Sequence, residues 1–258
     1  MKRLLSSLVL LLLMAAPALA AEDIVVGVTP FPHKDIMLVA KPLLAKEGYN
    51  LVLKDFTDYV QPNMALAGKQ LFANFFQHQP YLDNMNKEKN LGLVSIAKVH
   101  IEPLGIYSKK IKKLDQIKKG DIISVPNDPT NEARALRLLE TKGLIGIKPG
   151  ALVTVADITK NPLSLKIHEL DAAQLPRTLE DVTAAVINTN FAGEAGLIPA
   201  RDALAMEGSE SPYANIIVVR AADKDSPKAK ALVKAVQSPE VKAYIEKVLV
   251  PKGIMPAF

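Results

Sequence analysis

VPNDPTNEARALRLLE, residues 125–140, reads as a strand that runs straight into a helix. Val125 closes a buried strand, Asp128 caps, Pro129 fits the first helical position, and Ala133 to Leu139 are strong helix formers. Asn131 and Arg134 then lie three apart, on one face of the first turns. Unpaired backbone N–H groups and the positive end of the helix dipole favour an anion at such a place, and a guanidinium adds a two-pronged donor that matches a carboxylate. Taken alone, an Arg in a first helical turn is more often a solvated surface charge. Its position argues for a carboxylate clamp, because open α/β sheets place their ligands where strand ends meet helix starts.

Outward from this unit the same alternation repeats. IVVGV (24–28) precedes a helix expected from Asp35 to Glu47 and closed by Gly48. LVLKDF (51–56), LVSIAKV (93–99), IISVP (122–126), SLKIHEL (164–170), AAVIN (184–188) and NIIVVR (215–220) are further strands, each followed by a turn signal. Two helices, Ser226 to about Gln237 and Pro239 to about Val250, close the chain. The pattern predicts an α/β fold with mostly parallel sheets.

Two other constellations stand outside the apolar runs. TDYVQPNMAL (57–66) and NFFQHQPYL (74–82) offer Tyr59, Phe76, His78 and Tyr81, an apolar slot with polar tips. Individually each reads as readily as core or helix start; together they suggest a small-molecule pocket, with Phe75 assigned to the core. Asn188 and Asn215 end strands, where an amide can hold both an amino group and a carboxylate oxygen, or simply form a turn.

Several classes lose support. No G-x-S-x-G, G-x-G-x-x-G or P-loop pattern occurs, and His33, His78, His100 and His168 lack the spacing of a zinc helix, so no cofactor and no metal are expected. The lysines at 109, 110, 112, 113, 118 and 119 read as a solvated face with Ile111, Leu114 and Ile117 turned inward. The first twenty residues, MKRLLSSLVLLLLMAAPALA, read as a signal peptide cut near Ala20. Losing Lys2 and Arg3 with it lowers the net charge from +5 to +3, too mild to suggest nucleic acid. With no cysteine, neither disulfides, a thiolate metal site nor a lipid anchor is expected, and with no other apolar run long enough to span a bilayer the exported mature protein is expected to be soluble.

TDYVQPNMAL, FFQHQPYL, GIYSKKIK, VPNDPTNEAR, AQLPR, AVINTNFA and SPYANIIVVR together resemble the methionine-binding proteins of bacterial ABC importers, the NlpA/MetQ lipoprotein family, from Val25 to the last helices. The resemblance implies a two-lobed periplasmic binding-protein fold with its ligand cleft between the lobes. Lobe one is expected at 21–103 plus 218–258, and lobe two at 104–217. It further implies that Tyr59, Phe76, His78 and Tyr81 surround a thioether, that Arg134 pairs with the α-carboxylate, that Asn131, Asn188 and Asn215 hold the amino and carboxylate groups, and that Glu102 meets the ammonium. A thioether gains about 0.3 to 1.5 kcal/mol from a good aromatic contact. The implied partners are methionine, taken in this reading as the L form, and a permease with its ATPase, with the binding protein itself a monomer and not an enzyme. Rivals are D-methionine, a methionine-containing dipeptide or another apolar amino acid in the same class; a hydrolase pairing His78 with Asp58; and a surface interaction protein without a transport role.

Overall fold

A computed structural model of the chain describes residues 21–208 and 212–258, so the expected signal peptide at 1–20 lies outside the described residues. β1 (Glu22–Val28) leads through α1 (Asp35–Lys46) to β2 (Tyr49–Asp55), which lies parallel to it; α2 (Gln61–Ala67), β3 (Ala73–His78), α3 (Gln79–Lys89) and β4 (Leu93–Ile101) follow. The chain then enters a second lobe with β5 (Gly105–Tyr107), β6 (Ile122–Pro126) and α4 (Pro129–Thr141), a small pair of strands β7 (Gly146–Ile147) and β8 (Ile158–Lys160), then β9 (Lys166–Leu170), α5 (Leu175–Thr178) and β10 (Ala184–Ile187). α6 (Thr189–Glu194), α7 (Pro199–Asp202) and β11 (Ala205–Met206) complete it. The return is made by β12 (Ala214–Arg220), followed by α8 (Pro227–Val236), α9 (Pro239–Tyr244) and β13 (Met255–Pro256).

Two sheets result, one per lobe. The first has the order β13-β4-β12-β3-β1-β2 and the second β11-β5-β10-β6-β9. Each lobe has its own core. Ile24, Val26, Val28, Phe75, Ile217 and Leu232 belong to the first, while Ile123, Val125, Leu136, Leu139 and Val186 belong to the second. α1 ends where Gly48 takes φ +84, a left-handed backbone that glycine adopts without a steric penalty. α8 and α9 pack on α1 and cover the first sheet. Past Tyr244 the last helical stretch loosens into a π-type turn, Ile245–Leu249, and a 3-10 turn, Val250–Lys252.

Two differences from the sequence reading matter for the site. β3 was not among the expected strands, yet it is an interior strand, buried at every residue from Ala73 to His78. Its polar residues break the apolar pattern, and tertiary partners make them tolerable: Asn74 and Gln77 both donate to Asn63 Oδ1 of α2, at 2.8 and 2.7 Å. The expected boundary at 218 falls inside β12, whose residues from Asn215 onward already pair with β3 in the first sheet. The two crossings themselves pair side by side, with Glu207 N donating to Leu104 O at 3.0 Å.

Candidate functional site

The end of β3 and the start of α4 face each other across the gap between the lobes. His78 closes β3 and also caps α3, its Nδ1 accepting from Tyr81 N at 3.2 Å. That bond leaves the ring proton on Nε2, which faces Asn131 Oδ1 at 3.2 Å in the other lobe. Asp128 caps α4 as expected, accepting from Asn131 N at 3.0 Å. Burial drives His78 down to about 3, so the imidazole is neutral at physiological pH.

All nine residues singled out in the sequence line one small cavity, which opens in part to solvent: Tyr59, Phe76, His78, Tyr81, Glu102, Asn131, Arg134, Asn188 and Asn215. Gln77, Thr189 and Asn190 complete its wall. Phe75 lies in the first core, edge-on to His33 at 4.6 Å between ring centres, as its assignment required. One end of the cavity is aromatic. Tyr59 sits 5.9 Å from Phe76, 6.0 Å from Tyr81 and 4.9 Å from Phe191 by ring centres. The hydroxyls of this cluster are engaged, Tyr81 Oη donating to Tyr59 O at 2.8 Å and Tyr59 Oη to Asn190 Oδ1 at 2.5 Å. Burial raises both phenols above their ordinary range.

The other end is polar and asymmetric. Arg134 is 3 % exposed and is no surface charge. Its Nε and Nη2 bind Glu207 at 2.7 and 2.5 Å, and Nη2 also donates to Glu102 O at 2.7 Å. The two-pronged edge expected to face a ligand is therefore taken by Glu207, and Nη1 is the nitrogen left without a bond to a described residue. Glu102 Oε1 accepts from His100 Nε2 at 2.7 Å and lies 3.3 Å from His33 Nε2. His33 Nε2 also faces Asn215 Oδ1 at 3.0 Å, which leaves the Asn215 NH2 as that amide's free end. Desolvation lowers His33 to about 4 and His100 to about 3, and raises Glu102, with the charges of His33 and Arg134 opposing the last shift.

Among the described residues two buried polar atoms on the lobe-two wall, Asn188 Oδ1 and Asn190 Nδ2, lack a close hydrogen bond, the Asn190 amide lying near enough to the Glu194 carboxylate to favour its charged form. Buried amides are nearly always paired, so such atoms are waiting for a guest. The groups still open to the cavity are donors (Asn190 Nδ2, Asn215 Nδ2, Arg134 Nη1) and one acceptor, Asn188 Oδ1; the Glu102 carboxylate, already held by His100, adds negative charge beside them. A small molecule with an anionic and a cationic group side by side, and an apolar tail, satisfies all of them.

The folding of the chain brings together His33, His100 and Glu102, whose candidate ligand atoms lie within 4.8 Å of one another. Spacing in the sequence gave no hint of this. Both Nε2 atoms face carboxylate or amide oxygens at hydrogen-bonding distance, so the cluster reads as a carboxylate held by two imidazoles. His168 lies exposed on β9. His78 and Asp58 have separate partners: Asp58 Oδ1 accepts from Val60 N at 2.7 Å and Gln61 N at 2.8 Å. The lysines from 109 to 119 are exposed and Ile117 is buried.

Sequence reasoning missed Gln77, Thr189 and Asn190 of the wall, and Phe191, Tyr213 and Glu207 beside it. Tyr213 lies over the Arg134 guanidinium at 4.3 Å and edge-on to His78 at 5.0 Å. Phe191 and Tyr213 lie inside motifs already marked by their asparagines, AVINTNFA and SPYANIIVVR. Glu207 carries no such signal, since it meets Arg134 from 73 positions away.

A sequence model described as NlpA lipoprotein matches residues 24–258. The chain is 47% identical over 233 residues to the D-methionine-binding lipoprotein MetQ of Salmonella typhi, covering 88% of this chain and 86% of that one. It is 48% identical over 225 residues to outer membrane lipoprotein 3 of Mannheimia haemolytica, with 86% and 85% covered. Among solved structures it resembles a nutrient binding protein from Burkholderia cenocepacia bound to methionine, with a TM-score of 0.88, 51% identity, and 91% of this chain and 100% of that one covered. The crystal structure of the methionine binding protein MetQ gives 0.88 at 44% identity, with 92% and 98% covered.

Proposed function

The chain belongs to the NlpA lipoprotein family, and we propose that it is the solute-binding component of an ABC importer that takes L-methionine, as the zwitterion, into the cavity between its lobes. The observation that carries this reading is the set of open donors and the one open acceptor at the polar end, set beside an aromatic slot in the same cavity. The α-carboxylate meets Arg134 Nη1 and the amide NH2 groups of Asn190 and Asn215. The ammonium meets Glu102 and Asn188 Oδ1. Tyr59, Phe76, His78 and Tyr81 surround the thioether, and Asn131 serves both as a wall and as the bridge to His78. Binding makes and breaks no covalent bond; the lobes close on the ligand, and the closed form, bridged by Tyr59–Asn190 and His78–Asn131, is what a membrane permease with its ATPase reads. The protein acts as a monomer on the outer side of the membrane. Among the described residues no helix is long and apolar enough to cross a bilayer.

A second reading, D-methionine as the ligand, is favoured by the name of the MetQ relatives. The two enantiomers present the same groups, and a pocket separates them by the placement of the tail alone. Protein unfolded, stripped of carried-over ligand and refolded, then titrated calorimetrically with L-methionine, D-methionine, methionyl dipeptides and leucine, tests both. A ligand that binds the folded state raises the melting temperature. Silence from every methionine compound would end the proposal, and a clear preference for the D form would replace it with the second reading.

A further inference from the structure

Arg134 is held by three partners, and only one of them carries a charge. Glu207 gives one oxygen to Nε at 2.7 Å and the other to Nη2 at 2.5 Å; the second oxygen also accepts from Leu104 N at 2.9 Å. Glu102 O accepts from Nη2, and Tyr213 covers the guanidinium face. Leu104 and Glu207 lie on the two crossings between the lobes, and Arg134 lies in the first turns of α4. The guanidinium is thus oriented by both crossings at once.

Without this fork the anion left to a buried guanidinium in the cavity wall is the Glu102 carboxylate, which already feels the Arg134 charge. An Arg134–Glu102 pair would remove the donor for the ligand's carboxylate and the acceptor for its ammonium together. We propose that Glu207 is a positioning residue that keeps Arg134 off Glu102 and fixes Nη1 toward the cavity, and that this is what makes the site select ligands with a free α-carboxylate. The inference rests on the amino-acid-binding reading given above. It adds to that reading a residue outside the cavity wall that sets selectivity through another side chain.

The test compares L-methionine with L-methionine amide, which keeps the ammonium and thioether and lacks the carboxylate, on wild type, Glu207→Gln and Glu207→Asp by calorimetry. Losing an oriented, charge-assisted contact predicts that Glu207→Gln weakens methionine by about tenfold or more while shifting the amide by less than about threefold. The acid-over-amide preference then collapses. Glu207→Asp keeps the charge and restores part of it. Two results overturn the proposal: unchanged methionine affinity in Glu207→Gln, or an equal loss for acid and amide, which is what general loosening of the crossing would give. If Glu207→Gln does not fold, the ratio in Glu207→Asp decides, with a preference as large as in wild type or an equal loss for both ligands counting against the role. Wild type that binds no methionine would instead sink the amino-acid-binding reading itself, a failure the first titration reveals before any variant is made.

Discussion

Two groups of buried amides, one mostly behind the cavity and one in its wall, behave in opposite ways. In lobe one, Asn63, Asn74 and Gln77 bond among themselves, with Asn63 Nδ2 donating to Gln77 Oε1 at 2.9 Å and Gln77 Nε2 to Asn74 Oδ1 at 3.0 Å. In lobe two, Asn188 and Asn190 are also buried, yet each keeps one amide atom without a close partner among the described residues. The first group holds strand β3 to helix α2 and belongs to the fold. The second holds free energy in reserve, since an unpaired buried polar group costs about 1 to 3 kcal/mol until something pairs with it. A buried amide is structural or functional according to where its last hydrogen bond goes.

Substitutions can break that contrast or sharpen it. The largest effect is expected from Arg134→Ala, which removes the only cation in the cavity wall and should weaken methionine by about a hundredfold, near the upper range for a hydrogen bond to a charged group. It also leaves Glu207 without its partner, so a lower melting temperature accompanies the loss; calorimetry and circular dichroism read the two separately. Asn63→Ala should do the reverse: about 2 to 3 kcal/mol of stability lost in urea unfolding as Asn74 and Gln77 lose their shared acceptor, with little change in affinity of the folded fraction. Asn188→Ala should weaken the ligand about tenfold while changing the ligand-free melting temperature little, because losing the bond from its Nδ2 to Asn131 Oδ1 at 3.0 Å is offset by deleting an unsatisfied oxygen. A stability loss in Asn188→Ala as large as that in Asn63→Ala would erase the distinction.

The smallest effect concerns acid. His100 is held neutral, at about 3, whereas the unfolded chain protonates it near 6.5. Below pH 6.5 the unfolded state takes a proton that the folded state refuses, so stability falls as the pH drops toward 3. His100→Asn should remove about 1.4 kcal/mol of that sensitivity by pH 5.5, read as the difference between the two proteins' unfolding curves. Parallel curves would show that His100 does not carry the effect.

Much of this was legible beforehand, for identifiable reasons. The strand–cap–helix grammar of residues 122–141 is local, and Asp128 and Pro129 do what short-range physics requires of them. β3 escaped because its polar residues are affordable only beside Asn63, and no window around 73–78 contains that partner. The nine wall residues were found through motif likeness and composition; the free edge of Arg134 was not, because the occupant of its other edge comes from a distant loop. The pairing of Glu102 with His33 and His100 is tertiary in the same sense. Residue types are written in the sequence, whereas the partner that satisfies or abandons each polar atom is decided by topology.

Strand β12 carries one more consequence, in the order of assembly. It lies antiparallel between β3 and β4, and it arrives only after the whole of lobe two has been made. A chain growing from its N-terminus therefore holds β3 and β4 as open edges, unpaired along a central seam, for as long as residues 105–213 are being added. Lobe two, by contrast, is a continuous segment whose sheet closes within itself. The later lobe can fold before the earlier one, and a fragment ending at Met206 would keep the second sheet while exposing a gap in the first where chaperones or neighbouring chains would bind.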